Sequence, residues 1–488
     1  MNVSQIHGKV MLLVILALTL GGILRGNDTS PLTSRTPVDS LLAALLNPWQ
    51  LDPVLAASSC GSTGTGVYSP PNVSKPDYLI GEIFSPFACS VKRIVNDPSA
   101  KLLSQSWGTY ARHQYSRVQP WNSDQSLLLL KAGSPTSRHY LLDGTTYAVR
   151  SKQCSNKWYG GIQGRWHPAK DHPRERIYVN QDILGWYHVD SCTTTRTWRL
   201  PWAPDGIGSS EGNPSNDGRY IMLGDASGKR ASNGKIFSKK AFVVDMASYP
   251  TLRKGKERNI YQDCLDAGSD DCETDWLSIA ATGRYAVVQF SKSARVYNVN
   301  SSTLDLTPRP MPTALPSGCN GGTASQGYIL KTVHPDLGLD LDGNDILVGS
   351  TRCKLQGKSF AGKIFSWVTM VRLKDGLMTP LTDPSNEAQS WHISLRNHDR
   401  PGWAYVSYYH QGGLRFNGEV IAVKLDGSKK VERFAHHRSH VDDEYSAEPH
   451  AVPSRDGFRI LFTSNWSDYC VSGCGSFGTF QDFVVGSR

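Results

Sequence analysis

Three histidines, His334, His392 and His450, recur at about the same point of a repeating pattern in the last third of the chain. Imidazoles brought together from separate segments can hold a divalent metal ion. Cys353 follows His334 in the same repeat, and a thiolate beside imidazoles would favour zinc. A second group stands earlier. His167 and His188 flank a hairpin-like stretch, RIYVNQDILGWYH, with Tyr187 beside the second histidine and Arg165 two residues before the first. Residues i and i+2 of an extended segment share a face, so Arg165 and His167 point the same way. Further upstream lies Arg112-His113-Gln114-Tyr115-Ser116-Arg117. Imidazole, phenol and guanidinium groups together suit β-elimination on a uronic acid. A cation neutralises the carboxylate and so acidifies the C5 proton. A base removes that proton, and an acid protonates the leaving oxygen. The alternative for each histidine is packing within its own repeat, bonded to a backbone carbonyl.

Other chemistries find less support. The chain has no Gly-rich phosphate loop between a strand and a helix, and no His-Glu-x-x-His. A paired-carboxylate glycosidase stays open, because Glu211 and Glu448 occupy the same phase of the repeat as the histidines.

The repeat itself sets the architecture. Its clearest copies are residues 211–225 (EGNPSNDGRYIMLGD) and 448–466 (EPHAVPSRDGFRILFTSNW). Each reads as a polar lead-in, a Ser-x-Asp-Gly turn and an apolar strand. Seven such windows have turn positions from Asp124 to Asp456, spaced 46 to 65 residues apart. That is the length of a four-stranded blade. Further short strands follow each window, as at 241–245, 294–298, 368–373 and 420–425, and end in turn signals. The expected fold is all-β, a seven-bladed β-propeller over residues 76–488, with six or eight blades as the alternatives. Residues 480–485 would supply a late strand and residues 78–83 a strand that closes the ring beside it. The lead-ins then converge at one mouth of the channel, while Asp217, Asp342 and Asp456 serve the turns alone.

The chain has 488 residues, 39% of them hydrophobic, with 45 Gly and 27 Pro, which suits a turn-rich all-β protein. Lys9 precedes an apolar run over 10–20 that is too short for a confident membrane span. A leader over 1–26 and an arm or linker over 27–75 are expected, with a secreted or periplasmic product. Ten cysteines agree with export. Cys264 with Cys272 and Cys470 with Cys474 are near neighbours. Cys60 with Cys89, Cys154 with Cys192 and Cys319 with Cys353 are further possible pairs. Asn27, Asn72, Asn300 and Asn465 stand in glycosylation sequons. The net charge of +9, with 13 Trp and 20 Tyr, points to an anionic glycan rather than to nucleic acid.

The lead-in, turn and strand of residues 448–466 and 211–225 resemble the repeats of secreted bacterial TolB-like propellers. From about Trp107 to Val485 the chain is similar to the seven-bladed propeller polysaccharide lyases, the ulvan lyases above all, and more distantly to the oligogalacturonate lyases. The resemblance implies cleavage of a uronate-containing, sulfated glycan by two histidines with a tyrosine and an arginine. His167 and His188 match the histidines. Tyr261, Tyr187 and Arg165 are the candidates for the others. It also implies a metal held by propeller histidines, for which His334, His392 and His450 stand ready. The expectation is thus a polysaccharide lyase. Its catalytic candidates are His167, His188, His113, Arg165 and Tyr261, and its metal candidates His334, Cys353, His392 and His450. At most one structural divalent ion, zinc or calcium, is expected, and no organic cofactor. The partner is an anionic polysaccharide, with no nucleic acid, no lasting membrane association and a monomeric state. The rival is a non-catalytic propeller that binds glycan or protein in the cell envelope.

Overall fold

The computed structural model describes residues 60–486, apart from 109, 133–137, 155–157, 162, 230–233, 235, 269–271, 291–292, 311–327, 331–332, 353–365, 384–385, 441–444 and 477. The expected leader, the arm as far as residue 59, Asn27, Cys319 and Cys353 lie outside the described residues. Nearly all described secondary structure is strand. The helix Ile260–Asp266 and two single turns of 3-10 helix are the exceptions.

The strands form antiparallel sheets that follow one another along the chain. The first blade holds Tyr110–Arg112, Leu127–Ala132 and Arg138–Asp143. The second runs from Arg165–Trp166 to Thr193–Arg199, the third from Tyr220–Gly224 to Arg258–Asn259, and the fourth from Thr274–Ile279 to Leu306–Pro308. The fifth runs from Val333–Leu339 to Met378–Pro380 and the sixth from Ser390–Ser394 to Val431–His436. The last blade joins both ends of the chain. Val452–Pro453, Arg459–Ser464 and Phe480–Gly486 are extended by Ser90–Arg93 and then Gly81–Ile83. The strand beside Phe480–Gly486 is therefore Ser90–Arg93, and the expected closing segment sits one place further out.

A blade alone leaves both faces of its sheet in water, so its apolar residues must find a neighbour. Seven apolar clusters do this, each shared by two successive sheets. Leu129 and Leu141 meet Trp166 and Tyr178 between blades one and two. Trp186 meets Ile221 and Phe242, Val243 meets Leu277 and Val288, and Val296 meets Leu347 and Val371. Val348 meets Ile393 and Val406, and Tyr405 meets Phe462 and Phe483. Leu461 and Val484 then meet Leu128 and Leu142, which returns to the first blade. The packing closes on itself, so the described sheets form a β-propeller.

The repeated turn has a local cause. Ser215 Oγ donates to Asp217 at 2.5 Å and accepts from the Tyr220 amide at 2.9 Å. Ser454 does the same with Asp456 and Arg459. The following Gly218 and Gly457 both take φ +73°, where a Cβ is disfavoured. These aspartates are occupied as turn staples, in keeping with their expected role.

Four disulfides stand as paired in the sequence reading: Cys60–Cys89, Cys154–Cys192, Cys264–Cys272 and Cys470–Cys474. The first ties residues 60–76 to the closing blade. Arg433 donates to the carbonyls of Gly64 and Gly66 and pairs with the buried Glu419, so this segment lies along the outer strand of blade six.

Candidate functional site

The inner strands of blades five and six break register near their starts. Pairing skips between Val333 and Asp336, with His334 in the gap, and between Ser390 and Ile393, with His392 in the gap. An extra residue in one strand re-aims its side chain, a device found beside many active sites. His334 and His450 also have φ of +46° and +44°. That left-handed backbone is costly for a residue with a Cβ and is kept where the surroundings impose it.

The result is a compact cluster. The His334 and His392 rings stack 4.3 Å apart, and the His392 and His450 rings lie 4.2 Å apart. Glu448 Oε2 stands 3.3 Å from Nε2 of both His392 and His450. One ligand atom from each of His392, Glu448 and His450 lies within 4.8 Å of the other two. All three of these atoms are buried and have no hydrogen-bond partner. Buried polar atoms rarely go unsatisfied, so their convergence marks a place built for a guest. His334 Nδ1 donates to the Trp391 carbonyl at 3.0 Å, which leaves the ring lone pair on Nε2.

Burial sets the protonation. It holds His392 and His450 well below the usual histidine range, helped by neighbouring imidazoles and guanidiniums. Neutral imidazole is the form that binds metal. Burial also pushes Glu448 up to about 8, against the pull of Arg112. The Arg112 guanidinium donates to His450 Nδ1, which directs the remaining ring hydrogen to Nε2. For a metal ion to bind at Nε2 the hydrogen would have to move to Nδ1 and Arg112 turn away.

A cleft of about 460 Å³ adjoins the cluster, lined by Arg112, Tyr115, Lys131, Gln163, Glu211 and Tyr445 among others. The Tyr115 ring contacts both His392 and His450, at 5.3 and 4.9 Å. Tyr445 rests 5.2 Å from His450 and is 62% exposed. Arg117 lies 5.3 Å from Tyr115 and 4.8 Å from Trp276, and pairs with Glu211 through Nη2. Its Nε and Nη1 are buried without a partner. Burial keeps the Tyr115 phenol well above its ordinary range, so it stays protonated.

The expected residues fall into different places. His334, His392 and His450 come together, and Glu448 takes the position expected of Cys353, which lies outside the described residues. His113 touches the site by its back. Its Nδ1 faces Asp482 at 2.9 Å and its Nε2 faces the His450 carbonyl at 2.7 Å, so neither nitrogen is left to take a substrate proton. Arg165 is buried, and its donors go to four carbonyls, those of Gly212, Gln163, Gly164 and Ser210. His167 packs on His172 at 4.3 Å, in room left by Gly218. His188 ends the third strand of blade two, Ile183–His188, with Nδ1 near Ser191. Tyr261 belongs to the helix Ile260–Asp266 and packs against Phe237 and Lys239. His188 and Tyr261 are thus placed by blades two and three, outside the cleft lining. Sequence reasoning passed over Tyr445 altogether and saw Glu448 only as a generic carboxylate. Its position two residues before His450 in the lead-in was the available signal.

No protein-family model matches the chain, and no curated protein matches it. Among solved structures, an oligogalacturonate lyase from Vibrio parahaemolyticus is similar at 11% identity and TM-score 0.47, over 84% of this chain and 96% of that one. Hydrazine synthase from Kuenenia stuttgartiensis is similar at 12% identity and TM-score 0.43, over 76% and 96%. The Pan2 WD40 domain of Neurospora crassa is similar at 11% identity and TM-score 0.42, over 77% and 90%. At such values no residue role or activity passes from these proteins to this chain.

Proposed function

We propose that the protein is an exported lyase that binds one divalent metal ion and cleaves an anionic, uronate-containing glycan by β-elimination. One observation carries this reading: His392 Nε2, Glu448 Oε2 and His450 Nε2 converge unsatisfied beside a cationic, aromatic-rimmed cleft. Two imidazoles and a carboxylate, with His334 alongside, are a zinc-type donor set. Calcium takes oxygen ligands and fits poorly. Four disulfides among the described residues support an oxidising destination.

A bound divalent ion would supply Lewis-acid stabilisation of a carboxylate. The chain supplies the rest. Arg117, whose Nη2 edge now holds Glu211, can turn that edge to the uronate carboxylate, and a planar guanidinium suits that bidentate partner. Glu211, released from Arg117 when the substrate carboxylate binds, is the carboxylate of the cleft placed to take the C5 proton of the same sugar. Tyr115, kept protonated by burial, donates to the leaving oxygen. Tyr445 presents an exposed ring on which a pyranose face can stack.

The test is incubation of the purified protein with ulvan, pectate and glycosaminoglycans. Elimination creates an unsaturated uronate that absorbs near ~235 nm. Absorbance that grows on one of these, and is lost after chelation, is the expected result. Silence on every acidic glycan refutes the lyase and leaves the non-catalytic binding propeller.

A further inference from the structure

Further along the inner segments lies a second polar cavity, separate from the cleft. It measures about 20 Å³ and is lined by Ser123, Arg165, His167, Arg396, His398 and Arg455, with Gln119, Asn213 and several apolar neighbours. One water-sized guest needs ~10–15 Å³, so there is room for a single small ion or water and nothing larger.

The lining carries three guanidinium groups, and among the described residues no carboxylate lines it. Arg396 is neutralised from outside by Asp336, at 2.9 Å. Arg455 reaches Asp399 only at 3.3 Å, and Asp399 is shared with Lys170. Arg165 bonds carbonyls alone. Burial and the nearby Arg396 bring Arg165 down to about 9, and the pull of Glu211 does not offset them.

The hydrogen-bond inventory gives the same sign. Arg455 Nη1 donates to His398 Nδ1 at 3.1 Å, which places the ring hydrogen on Nε2. That Nε2, the Arg455 Nε and the Ser123 hydroxyl are all buried and have no partner. Burial and two guanidiniums hold His398 well below the usual range, so its Nε2–H is a neutral donor. Three unused donors thus line one cationic cavity. A water could accept from two of them, but its own hydrogens would then need acceptors.

We infer that this channel cavity is a binding site for one small monovalent inorganic anion of the halide class, held by His398 Nε2, Arg455 Nε and Ser123 Oγ. The anion adds a negative charge to a cavity lined by Arg165, Arg396 and Arg455. The site is independent of the metal cluster and stands whether or not the lyase reading holds.

Crystals of the full chain soaked in sodium bromide test this directly. An anomalous peak inside the cavity, within hydrogen-bond distance of His398 Nε2, is expected. Thermal unfolding in sodium chloride should also lie above that in sodium gluconate of equal ionic strength, by about 3 °C or more. The gap should vanish in His398→Phe, which fills the cavity and removes a donor. No peak in the cavity, or a peak with identical midpoints in the two salts, overturns the inference. A salt gap that persists in folded His398→Phe does so too. Should that variant fail to fold, the wild-type map and salt comparison decide alone.

Discussion

Blade two and blades five to seven start from the same repeat and use its histidine position in opposite ways. In blade two, the polar groups around the histidine are spent on the fold. Arg165 is saturated by carbonyls, and His167 accepts from the Ala169 amide and packs under Gly218. In the late blades, His392 and His450 are just as buried and Glu448 is half-buried, yet their ligand atoms face one another unsatisfied. A histidine in phase with the repeat is thus no sign of chemistry by itself. What separates the regions is whether its hydrogen bonds are made.

The sharpest way to break this contrast is to remove one histidine from each region. His392→Ala should lose bound metal by elemental analysis and lower elimination on the order of 1000-fold, while circular dichroism stays native. His188→Ala should keep metal and rate near wild type. Equal losses in the two variants would mean that the early region takes part after all.

Next in size is Arg117→Lys, which keeps a cation for Glu211 but loses the planar fork. Its kcat/KM should fall by roughly 10- to 100-fold with metal content unchanged. An unchanged value would place the carboxylate-binding group elsewhere in the cleft.

The contrast also shows what the sequence could reveal. The turn chemistry, the strand spacing and the phase of His334, His392 and His450 are local patterns, and they led to the ring and to most of the cluster. Arg112, Tyr115 and Arg117 were visible as a stretch rich in function, but their partners were not. Arg112 and Tyr115 meet residues more than 300 positions away only because the closing strand Phe480–Gly486 lies against Tyr110–Arg112. Cys353 was preferred to Glu448 because it is near His334 in the chain, whereas ring geometry brings in the lead-in of the next blade. His188 and Tyr261 were drawn in by neighbours along the sequence that the strand and the helix turn elsewhere.

A smaller effect tests the early region on its own terms. Gly218 has φ +73°, and a Cβ there would stand 2.3 Å from the His167 ring. Gly218→Ala should lower stability by about 2 kcal/mol through backbone strain and overpacking. Thermal denaturation should show the loss, and metal content and elimination rate of the folded fraction should not change. A variant that folds normally but turns over slowly would return His167 to the catalytic list.

The last test asks whether a displaced pKa marks a site, since burial raises both Glu387 and Glu448 in the late blades. Glu448 faces imidazoles and a cleft. Glu387, pushed up to about 7, is met by the Asp383 amide and, at 3.4 Å, by Arg415, and by nothing resembling a ligand set. The folded protein holds the Glu387 proton more tightly than the unfolded chain does. Its contribution is therefore fully present below the unfolded value and is lost as pH rises through about 7. Glu387→Gln cannot ionise, so urea unfolding should find it level with wild type at acid pH and more stable above neutrality. The gap should approach, and not exceed, about 3 kcal/mol. Chelation should leave the gap untouched, because nothing at Glu387 awaits a metal. If the gap instead depends on metal, the two glutamates belong to one coupled system. The line between a buried structural carboxylate and a ligand would then have to be redrawn.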